Sequence, residues 1–131
     1  MRLLDQLREF LAQIARLRGA GRPDDALLAI LQAQERLFGR EASLFMGLAP
    51  EEQFRVLTLG QAADEARGKC VMQADLLSEM ARVYAYKEQQ ALALGAWHYA
   101  RMLLELAAEK FPGADVGERI AAVRREITLL R

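Results

Sequence analysis

From Ala91 to Ala108 the chain is apolar on nearly every face of a helix, interrupted by His98, Arg101 and Glu105. Those three fall at i, i+3 and i+7 and form one narrow stripe, which leaves the other faces free to receive neighbours. A helix that is hydrophobic all round belongs inside a fold. The three polar side chains make it a poor membrane span, so the solvent it avoids is water and its cover is other helices. This central helix is expected to run on to Phe111-Pro112-Gly113, where proline ends it. It pairs with a preceding helix across Lys87-Glu88-Gln89-Gln90, making an antiparallel hairpin over Leu76 to Phe111.

The rest of the chain supplies the cover. Leu3, Leu7, Phe10, Ile14 and Leu17 step by four and three, so a first helix spans about Arg2 to Arg18 and stops at Gly19-Ala20-Gly21. Pro23 followed by Asp24 and Asp25 opens a second, because proline is tolerated in the first turn and carboxylates suit the positive end of the helix dipole. Its buried side is expected to be Leu27, Ile30, Leu31, Gln34 and either Leu37 or Phe38, with Gly39 as its stop. Residues 40–49 are irregular but carry Leu44, Phe45, Met46 and Leu48, too apolar for a free linker. They are expected to pack down as a single helical turn. Pro50-Glu51-Glu52 opens a third helix with Phe54, Leu57 and Gln61 on one side and Val56, Leu59, Ala63 and Ala66 on another, ending at Gly68-Lys69; a fourth then covers Val71 to Tyr86. The last, with Asp115 and Glu118 at capping-box spacing, repeats Val116, Ile120, Val123, Ile127 and Leu130 on one face. No stretch alternates with strand period, so the expected fold is all-α, about six helices in one domain.

Length and charge narrow the function classes. At 131 residues the chain can bury a core without disulfides or metals, and its formal charge of zero lacks the footprint of a nucleic-acid or anionic-membrane binder. A single cysteine and no apolar leader at the N-terminus point to the cytoplasm.

Within the second hairpin, Leu77, Ala81 and Tyr84 on one helix and Ala93, Trp97 and Ala100 on the other set bulky, small and aromatic residues at fixed offsets. Small residues at the crossing let two helices approach, and the aromatics fill the space on either side. This pattern resembles a tetratricopeptide repeat, and the first hairpin resembles it more weakly through Phe10, Leu17, Gly21, Ala26, Ile30 and Ala33. The layout is also similar to small bacterial TPR-like proteins of unassigned function. The resemblance covers about half the chain. It implies a right-handed superhelix with a C-terminal capping helix, and a concave groove that binds a protein or peptide.

On that template the groove of the second hairpin carries Asp75, Ser78, Arg82, Ala85 and Tyr86, and that of the first carries Arg8, Leu11 and Arg18. Arg82 and Tyr86 are the expected hot spots, since arginine and tyrosine join contact area to directional donors. The chain has no asparagine, which weighs against the carboxylate-clamping version of such a groove. The alternative to an adaptor is a homodimer paired through the apolar stripe of the last helix.

Catalytic and metal chemistry find little footing. His98 is the sole histidine, and on the template it points away from Ser78, so no activated nucleophile forms. No second histidine, cysteine pair or Glu-x-x-His spacing announces a metal, and no cofactor motif is present. Gly68-Lys69-Cys70 lacks both the earlier glycine and the hydroxyl of a phosphate loop. Cys70, beside Lys69 and read at a helix start, is either a thiol of lowered pKa or a small buried hydrophobe, and the second reading is preferred.

Overall fold

The computed structural model describes residues 2–130. Seven helices account for nearly all of it: α1 (Leu3–Gly19), α2 (Pro23–Phe38), α3 (Ala42–Met46), α4 (Pro50–Thr58), α5 (Ala63–Tyr86), α6 (Gln90–Lys110) and α7 (Ala114–Leu130). No strand occurs among the described residues, and none of their helices is long and apolar enough to cross a membrane.

Helix α1 pairs with α2, and α5 with α6; α5 then touches α1 and α2 on one side and α7 on the other, while α7 also lies along α6. Short α3 rests on α2, and α4 fills the angle between α5 and α6. The fold is therefore two helix pairs in succession, closed by α7, with α3 and α4 inserted between the pairs. One continuous apolar core runs through all of it, from Leu7 and Ile14 to Val123 and Ile127.

The best-buried helix is α5, not α6 as the composition suggested. Helix α5 places eleven residues out of solvent, among them Leu76, Leu77, Ala81 and Val83. Helix α6 leaves Leu92 51% and Met102 37% exposed. An apolar composition overstated its cover because one side of it meets only α7 and water. The template residues are nevertheless inside: Ala81, Ala93 and Ala100 are fully buried, Leu77 and Trp97 nearly so, and Tyr84 packs against the core's edge.

The boundary between the third and fourth expected helices lies elsewhere. Helix α4 ends at Thr58, and the chain turns through Leu59-Gly60, where Gly60 has φ of 73°. That left-handed conformation favours glycine, so the break belongs there. Gly68 and Lys69 instead sit inside α5, where a Cβ on Gly68 would meet nothing within 4 Å. Of the two apolar sides read there, Phe54 and Leu57 are buried, whereas Leu59 is 75% exposed in the turn and Ala63 begins the next helix in solvent. The connector does hold one helical turn, α3, with Phe45 buried and Leu44 turned outward. At the other end α7 starts at Ala114, so Asp115 lies within its first turn rather than capping it; its carboxylate accepts the Val116 N–H at 3.0 Å.

Candidate functional site

On α5 the residues Asp75, Ser78, Glu79 and Arg82 follow helical spacing and share one face. That face is the floor of a cleft of about 240 Å³ whose walls are α1, through Leu11, and α7, through Arg119, Ala122 and Val123. Trp97 and Leu104 of α6 close its base. Beyond Arg82 a shallower notch continues along Arg18, Gly19, Ala85 and Tyr86.

Ion pairs tie both walls to the floor. Arg119 on α7 grips Asp75 with two bonds, Nε to Oδ1 at 2.9 Å and Nη2 to Oδ2 at 3.1 Å. This hydrogen bond to Asp75 raises the Arg119 pKa further, against the opposing effect of its partial burial, so its charge is permanent. On the other wall Arg18 of α1 donates to Glu79 Oε2 at 2.7 Å, while Arg82 donates to Oε1 of the same carboxylate at 2.8 Å. Glu79, with its side chain only 13% exposed, thus serves two guanidiniums. The Arg82 guanidinium also lies over the Trp97 ring, 5.3 Å from its centroid, a cation–π contact at the base of the cleft.

The six expected contact residues divide as follows. Asp75, Ser78 and Arg82 line the cleft, and Arg18, Arg82 and Tyr86 line the notch. Ser78 is only 7% exposed and gives its proton to the Ala74 carbonyl at 2.8 Å, so it shapes the floor without offering a free donor. Tyr86 is half exposed, with its hydroxyl beside Gly21, where an added Cβ would stand 3.3 Å from it. Arg8 stands apart from both hollows, its side chain 71% exposed and 3.9 Å from Asp5 on its own helix. The i, i+3 spacing gives it a nearer carboxylate than the groove does.

Sequence reasoning missed Glu79, Trp97 and the whole α7 wall as groove components. Glu79 carried a signal, because it stands one residue past Ser78 on the same face. Arg119 carried none, since its pairing with Asp75 depends on how α7 is set against α5.

A larger hollow of about 840 Å³ lies on α1, lined by Leu3, Gln6, Phe10 and Gln13 with Arg36 from α2. One helix provides nearly all of its surface, so it is a depression, not a cleft between converging groups.

His98 and Ser78 are not brought together: the His98 Nδ1 lies 3.4 Å from Arg101 Nη2, and the Ser78 hydroxyl is committed to the backbone. Among the described residues no group of three or more His, Cys, Asp or Glu could hold a metal ion. Cys70 is fully buried and burial pushes its thiol up to about 12. The lowered-pKa reading fails because α5 begins at Ala63, which puts Cys70 about two turns beyond the helix N-terminus. Tyr99, whose hydroxyl donates to the Leu48 carbonyl and pins the connector to α6, is likewise raised by burial and by Glu51 and Glu52. Comparison of the chain with protein-family models, with curated proteins and with solved structures finds no match.

Proposed function

We propose that this protein is a non-enzymatic interaction module that receives a peptide or helix from a protein partner in the cleft over α5. The observation that carries the reading is Arg82 laid across Trp97, flanked by Arg18 and half-exposed Tyr86. Arginine and aromatic side chains in a partly desolvated hollow are the groups that dominate interface energetics. The cleft holds about 240 Å³, room for one or two inserted side chains. The succession of helix pairs, α5 touching both members of the first and both α6 and α7, supports a tetratricopeptide-like reading of the scaffold.

Affinity capture from native extract with wild-type protein, Arg82→Glu and Tyr86→Ala tests the assignment. Loss of the same specific partner by both folded variants, by ten-fold or more, is the expected result. Retention of every partner by both removes the groove from the interface.

A further inference from the structure

Three glutamines from three helices meet beneath the connector: Gln34 of α2, Gln53 of α4 and Gln73 of α5, exposed by 1%, 0% and 0%. Their amides form a one-way relay. Gln53 Nε2 donates to the Phe45 carbonyl at 2.9 Å, and because a carbonyl only accepts, that bond fixes which way Gln53 faces. Its Oε1 then takes the Gln73 Nε2 at 3.0 Å, and Gln73 Oε1 takes the Gln34 Nε2 at 3.1 Å. Gln34 Oε1, at the end of the relay, is buried without a hydrogen-bond partner.

Each of these nitrogens has a second proton, and all three surround one atom. The Met46 sulfur lies 3.1 Å from Gln34 Nε2, 3.6 Å from Gln73 Nε2 and 3.8 Å from Gln53 Nε2. A thioether is a weak acceptor, so three amide donors converge on a group that satisfies them poorly. An oxygen bonded to that sulfur and accepting an N–H at ordinary length would place the donor nitrogen roughly 3.6–3.9 Å from the sulfur. Gln73 and Gln53 already stand at those separations. Gln34 is too near for this arrangement and keeps its bond to Gln73. Met46 itself is partly exposed at the end of five-residue α3, between exposed Gly47 and buried Phe45.

We propose that Met46 is a modification site whose thioether is converted by a hydroperoxide to methionine sulfoxide, and that Gln53 and Gln73 hold the sulfoxide oxygen in the folded protein. A sulfur lone pair attacks the distal peroxide oxygen, and the S–O bond forms as the O–O bond breaks. The departing hydroxide or alkoxide takes the proton carried by the transferred oxygen and leaves as water or alcohol, which leaves the neutral sulfoxide. Sulfur gives up the two electrons that the peroxide gains. In an ordinary apolar core the new oxygen would be unsatisfied and disruptive; here it meets waiting donors. The site is independent of the cleft, because neither Met46 nor the glutamines line it.

The test is to treat the intact protein with hydrogen peroxide and map each methionine by peptide mass. Circular dichroism follows the fold, and the glutamine side-chain amides are followed by ¹⁵N NMR. Met46 is expected to gain one oxygen while buried Met80 does not, with Tm held within about 4 °C and the Gln53 and Gln73 amide protons moved downfield. Met46→Leu is expected to abolish those amide shifts. The proposal is overturned if Met46 remains a thioether when exposed Met102 is fully converted, if its oxidation unfolds the protein, or if the amides do not move. The wild-type spectra decide the matter even if the Leu variant does not fold.

Discussion

Gln73 is the middle of the buried relay, donor to Gln53 and acceptor from Gln34. Replacing it with leucine leaves the Gln53 oxygen and a Gln34 proton without partners in a region closed to water. Gln73→Leu should therefore lose roughly 2–4 kcal/mol in urea unfolding, more than the triple change of all three glutamines to leucine or methionine, which strands no polar group. Spacing alone put Gln34 on the buried side of its helix. It could not do so for Gln53 and Gln73, because a buried amide is tolerable only where its partners sit, here 20 and 39 residues away in sequence. Cys70 makes a second prediction at this scale. Its folded pKa of about 12 exceeds that of the unfolded thiol, so above roughly pH 9 the unfolded chain binds fewer protons than the native one. Stability is then fully present below pH 9 and declines as the pH rises towards 12. Urea titrations of wild type and Cys70→Ala should diverge across that window, the variant falling less steeply.

At the scale of elements the lesson comes from two glycines. From sequence the third helix is expected to end at Gly68-Lys69, whereas the chain breaks at Gly60. What decides is backbone geometry: Gly60 has a positive φ and Gly68 continues α5. Gly68→Ala should stabilise by about 0.5–1 kcal/mol, since a Cβ there meets open space inside a helix, whereas Gly60→Ala should destabilise by about 1 kcal/mol. Thermal unfolding of the two variants would separate them by sign. Element starts were more legible than stops: Pro23 and Pro50 open α2 and α4 where proline is tolerated. Stops depended on left-handed residues such as Gly39 and Gly60, a class in which glycine composition marks candidates without choosing among them.

For the molecule as a whole, the face of α5 that forms the cleft floor was readable from helical spacing once a pairing template was assumed. Its depth was not, because the α7 wall is positioned by contacts made far along the chain. The apolar stripe of α7 has Val116, Val123 and Ile127 exposed by only 0%, 4% and 6%, closing the core of its own chain. Ile127→Glu should cost about 3 kcal/mol or more by placing a charge in that seam, visible as a lower urea midpoint, with light scattering recording the mass of the folded variant.

The inserted pair α3–α4 sits on α2, α5 and α6 and contributes no side chain to the cleft. It is set like a shim against the two helix pairs, meeting one member of the first and both of the second, and the pairs also touch each other directly through α1, α2 and α5. Shortening or lengthening residues 40–49 should change the cleft's width without altering any residue within it. Selection could thereby tune which ligand is admitted by editing a stretch the ligand never meets.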